Sequence, residues 1–178
     1  MPTTGTYGEA DQGGQTWGPG SGVGDYAGFQ WVAPATGTVT TVRIPWKSTT
    51  SVSGTTKVQL WSNTAGSPGA QIGADSSTEN YTSGVNADET YTFASPPAIV
   101  NGTTYWIIVH AVTGSGDHVI GNCTQVAGYG STRNSTITSM TDDGIGASRD
   151  WRVEITYTPA ASSSPPFKRP TRFFRRSF

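Results

Sequence analysis

Asn101-Gly102-Thr103-Thr104-Tyr105-Trp106-Ile107-Ile108-Val109-His110-Ala111-Val112 opens on a turn dipeptide and continues as the most apolar run of the chain. Asn and Gly both tolerate positive φ, so the pair marks a reversal. The aromatic and β-branched residues behind it suit a pleated strand. Apolar side chains fall on both parities: Tyr105, Ile107 and Val109 on one, Trp106 and Ile108 on the other. A half-wet strand would alternate, so both faces of this one are expected to be covered. It reads as the central strand of an all-β domain.

Shorter strand signals surround it. Ala27 to Ala33 places Phe29 and Trp31 on one face. Thr41 to Lys47 alternates cleanly, with Val42, Ile44 and Trp46 against Arg43 and Lys47. Pro45 predicts an edge strand or a bulge there. Lys57 to Trp61 sets Val58 and Leu60 inward and Trp61 outward. Residues 63–69 read as a wide turn, 70–76 as a short strand and 89–93 as another before the Ser95-Pro96-Pro97 break. Residues 118–120 and 135–138 add short strands, and Trp151 to Tyr157 alternates without a fault, so one of its faces is wet. No stretch holds a 3.6-residue period. The expectation is a single antiparallel β-sandwich over residues 26–158, with eight or nine strands.

Composition supports that class. The 178 residues are enough for one domain with a real core. Gly 23 and Pro 11 provide turns, and charged residues are only 13%, half the usual share, as in surface-displayed β domains. The single cysteine, Cys123, excludes an intrachain disulfide and reads as a small buried hydrophobe. Residues 1–25 form a Gly-rich arm, 159–166 a Pro/Ser linker of extended character, and 167–178 a separate end.

The order of motifs resembles a jelly-roll-like β-sandwich found in secreted and phage surface proteins. The residues concerned are Gly37-Thr38-Val39-Thr40-Thr41-Val42, Val58-Gln59-Leu60-Trp61-Ser62, Gly66-Ser67-Pro68-Gly69 and Gly102-Thr103-Thr104-Tyr105-Trp106. The resemblance covers most of the domain and implies an accessory, carbohydrate-contacting or structural module. It implies nothing for the C-terminal end, which is similar to the basic, aromatic anchors with which some virion proteins dock on a shell.

Charge divides at that end. Residues 1–160 hold all 12 acidic and six of the 11 basic residues, a net −6. The last twelve residues hold Lys168, Arg169, Arg172, Arg175 and Arg176, a net +5, together with Phe167, Phe173, Phe174 and Phe178, four of the six Phe. Exposed Phe at this density calls for a covering surface, and Arg with aromatics is the composition of binding hot spots. A protein groove, with Phe as anchors and Arg on carboxylates, is the preferred partner. Nucleic acid and an anionic membrane surface also fit the chemistry and are ranked below it. A frayed terminus is the bland alternative.

Catalytic patterns are sparse. The two histidines are the only bases for a nucleophilic triad; His110 shares parity with Trp106 and Ile108 and reads as structural, and His118 as a surface loop residue. No Gly-x-Ser-x-Gly elbow occurs, and Gly18 to Gly24 lacks the Lys of a phosphate loop. One Cys and two His exclude a zinc set, whereas Asp117, Asp142 or Asp143 could contribute to a Ca2+ site. An outward Trp61, with Tyr81 and Tyr129 in loops, offers flat faces to a sugar. No 20-residue apolar span and no signal-type leader are legible. The expectation is therefore a non-enzymatic virion component, made in a host cytoplasm, forming homo-oligomers or contacts with other virion proteins through its tail. The alternative is a carbohydrate-binding adhesin of an extracellular surface that contacts host glycans.

Overall fold

The computed structural model describes residues 3–7, 14–17, 26–47, 53–82, 87–115, 118–124, 131–134, 137, 149–151 and 153–161. These form fourteen strands: β1 (Thr3–Tyr7), β2 (Gly14–Trp17), β3 (Tyr26–Val32), β4 (Gly37–Lys47), β5 (Ser53–Thr64), β6 (Ser67–Gln71), β7 (Thr78–Thr82), β8 (Ala87–Thr92), β9 (Ala98–Ile99), β10 (Thr104–Ser115), β11 (His118–Thr124), β12 (Ser131–Asn134), β13 (Arg149–Trp151) and β14 (Val153–Pro159). The first sheet runs β1-β14-β4-β11-β13, with β8 and β9 also on β4 and β2 on β11. The second runs β12-β3-β10-β5-β6, with β7 also on β5. Every pairing is antiparallel. Among the described strands from β3 onward, seven of the eleven connections cross between the sheets, which closes an all-β sandwich.

The core follows from parity. On the inner face of the second sheet, Leu60, Ile107 and Phe29 stand in one cross-strand row, and Val58, Val109 and Ala27 in the next. The first sheet answers with Val39, Val42, Ile44, Ile155 and Val153, all fully buried. Each such side chain contributes about 1.5–3 kcal/mol by leaving water. One polar chain crosses this core: Trp46 Nε1 donates to the Tyr91 hydroxyl at 3.0 Å, and that hydroxyl lies 2.5 Å from Thr56 Oγ1. Burial holds the Tyr91 phenol well above its usual pKa, so it stays a neutral hydrogen-bonding group.

β10 sits between β3 and β5, the central position its sequence predicts. Its lead-in is a β-turn in which Thr103 N donates to Val100 O at 3.1 Å, and Gly102 takes a φ of 73° at the third position.

Several local expectations change. Residues 63–69 form a tight Ala65–Gly66 reversal between β5 and β6, because both residues adopt positive φ (51° and 86°). β6 then ends at Gln71 and residues 72–77 are irregular, where a strand over 70–76 was expected. Tyr81 lies on strand β7, not in a loop. Of the strand expected at 135–138 only Ile137 is described, and it is not on a strand; the other three positions lie outside the described residues, just after β12. β4 is interior to its sheet, and Pro45 stands two residues past Arg43, the last β14 partner on that strand. The Gly-rich arm supplies β1 and β2 to the first sheet.

Candidate functional site

Among the described residues, the outer face of the second sheet brings a group of aromatic and polar side chains together. Three cross-strand rows build it: Trp61, Trp106 and Gln30; Gln59, Ile108 and Gly28; Lys57, His110 and Tyr26. Trp106 and Ile108 are fully buried, with Tyr26, Trp61 and Ile137 packed around them. The second parity of β10 is thus covered, as its composition predicts.

Polar groups close the same layer. Trp106 Nε1 donates to Asn63 Oδ1 at 3.0 Å, and Trp61 Nε1 to Gln59 Oε1 at 3.1 Å. Gln59 and Gln71 each donate through Nε2 to Asp75 Oδ1 at 2.8 Å, while Lys57 Nζ lies 2.5 Å from Asp75 Oδ2. Partial burial works to raise the Asp75 pKa, but the donors Lys57, Gln59 and Gln71 outweigh it and hold the carboxyl below its usual range. His110 stacks on Tyr26, ring centroids 4.4 Å apart and tilted by 32°. Its Nδ1 is buried without a hydrogen-bond partner. Burial first, and then nearby Lys57, pull the His110 pKa down, with Asp75 opposing. The imidazole is therefore a neutral packing group, in line with the structural reading of the sequence.

Two carboxylates stand apart. Burial, then Glu79 and Asp88, raise the Glu89 pKa at the rim where β7 approaches β8. Glu79 accepts a hydrogen bond from Ser77 Oγ at 2.6 Å. Among the described residues no cluster of three or more His, Cys, Asp or Glu side chains could hold a metal.

Of the residues singled out in the sequence, Trp61 is on this outer face, half-buried, and its indole N–H is already bonded. Tyr81 lies on β7, opposite Gly54 of β5. Tyr129, Asp117, Asp142 and Asp143 lie outside the described residues, as do Phe167, Lys168, Arg169, Arg172, Phe173, Phe174, Arg175, Arg176 and Phe178. The sequence reading missed the Gln59–Asp75–Gln71–Lys57 cluster. Gln59 and Trp61 share a parity, which was a usable signal; Asp75 reaches them from an irregular segment and gave none.

The tail emerges from a defined place. β14 ends against the start of β4, with Pro159 opposite Gly37, and Ala160 N donates to Thr36 O at 2.8 Å. A Cβ on Gly37 would sit 2.1 Å from Thr158 O, so only glycine admits this approach. No protein-family model and no curated protein matches this chain.

Proposed function

We propose that this chain is a non-enzymatic structural protein of a phage particle, displayed as a head decoration or tail appendage and anchored by residues 167–178. The observation that carries this reading is the charge and aromatic division: a domain of net −6, and a twelve-residue end of net +5 holding four of the six Phe. Phe rings at that density favour a groove on another virion protein or a neighbouring subunit, with Arg on its carboxylates. The sandwich supplies a body to display, and Ala160, held by Thr36 O, fixes the point from which the anchor sequence continues. In particles produced with a chain ending at Ala161, the protein should be lost from purified virions while the soluble domain still folds. Undiminished incorporation of that truncated chain overturns the reading.

A second reading, a glycan-contacting surface module, draws on Trp61 beside Gln71 and Asp75 on the outer face of the second sheet. An aromatic face flanked by planar polar groups suits a sugar ring and its hydroxyls. Glycan binding that survives removal of residues 162–178 and fails in Trp61→Ala would favour it.

A further inference from the structure

We infer that the end of the sandwich from which the tail departs is itself a docking face, pressed against the same virion protein that receives the tail. This rests on the anchoring reading above. Among the described residues, the turns 33–37, 63–68, 94–103 and 158–161 meet at this end; Gly73 of the adjoining segment packs on Pro97, while its Asp75 turns away to Lys57, Gln59 and Gln71 on the outer face of the second sheet. None of the four turns contains Asp, Glu, Lys, Arg or His; they are built from Pro, Ala, Gly, Ser, Thr, Asn, Ile and Val. Arg43, Lys57, Asp75, Glu79, Asp88, Glu89 and Glu154 all lie outside those turns. Interface cores are depleted of charge relative to the rest of a protein surface. Val100, at 55% exposure, is the exposed large hydrophobic residue of the described chain, and it stands here beside exposed Pro34, Pro96, Ala98 and Pro159.

The face is rigid. Ala33 N donates to Thr103 O at 3.0 Å, Gly102 N to Ala33 O at 2.8 Å, Asn101 N to Thr36 Oγ1 at 3.0 Å and Val39 N to Pro97 O at 3.0 Å. The Tyr105 hydroxyl accepts from Val100 N at 2.9 Å, which fixes the turn carrying the exposed valine. A surface knitted this way loses little freedom on association.

Chain length selects the occupant. Only residues 162–166 separate Ala161 from Phe167. Even fully extended, that segment reaches about 20 Å. A tail seated in its groove therefore holds this end of the domain close to the receptor surface around the groove. The partner chemistry that fits is a flat, uncharged protein surface bordering an acidic groove, the groove taking Arg and Phe and the border taking Val100 and the prolines.

The test uses virions stripped of the protein and titrated with purified full-length chain. Val100→Glu and Ala98→Glu place a charge on the face at exposed positions. Each should weaken rebinding about tenfold or more, while Thr90→Glu, at an exposed position on the first sheet, should leave it unchanged. A second variant leaves the domain untouched: twelve Gly/Ser residues inserted between Ala161 and Ser162 should weaken rebinding by releasing the domain from its seat. Pole and linker variants that rebind like wild type, with the tail-deleted chain still unable to bind, overturn this inference and leave the anchoring reading standing. A tail-deleted chain that rebinds like wild type overturns both.

Discussion

The two outer faces of the sandwich solve the same problem in different ways. On the first sheet the outward positions are Thr41, Thr90, Thr92 and Thr156 around an ion group, in which Arg43 pairs with Asp88 and, at 2.8 Å, with Glu154. These side chains are exposed or half-exposed, and water does most of the solvation. On the second sheet the outward positions of the central strand are Trp106, Ile108 and His110, closed over by Tyr26, Trp61 and Ile137 and edged by the Asp75 amide cluster. One face is wet and the other carries a second, smaller core. Among the described side chains, neither broad face is a bare apolar surface awaiting a partner.

The largest difference between the faces should appear on truncation. Trp106→Ala removes a fully buried ring and leaves the Asn63 carboxamide oxygen without its donor, so chemical denaturation should show a loss of about 3–5 kcal/mol. Trp61→Ala, half-buried in the same layer, should lose less. A Trp106→Ala chain as stable as wild type would mean that the second core holds nothing together.

Acid should separate the faces next. The His110 pKa is depressed in the folded state, so the unfolded chain takes up the proton first. Stability should therefore fall as pH drops below about 6.5 toward the folded value. His110→Phe should remove that limb and leave the Asp75 limb, which begins near pH 4, in place. An unchanged pH profile in the variant would contradict the packing assigned to this ring.

The smallest effect belongs to the wet face. Arg43 is about two-fifths exposed and so is Asp88, so Arg43→Ala should cost no more than about 1 kcal/mol, shrinking further in high salt. A loss comparable to that of Trp106→Ala would erase the contrast.

Much of this arrangement was legible in the sequence, for a physical reason. Side chains alternate strictly along a strand, so β10 declared both faces covered and β14 declared one face wet. Turns with two positive φ values were harder. Ala65 is not a residue that favours φ 51°, and the tight reversal it forms with Gly66 was read as a wide turn. Long-range polar contacts were invisible. Asp75 joins Lys57 and Gln59 across 16 to 18 residues through an irregular segment, and no local pattern encodes that. The charge-free end is made from turns far apart in sequence, each unremarkable alone, that only the fold assembles.

Retention on the particle tests the anchor most directly. Stripped virions mixed with equal amounts of full-length chain and of a chain ending at Ala161 should retain the first and wash free of the second, with both chains giving the same β-type circular dichroism. Equal retention of the two chains would contradict it.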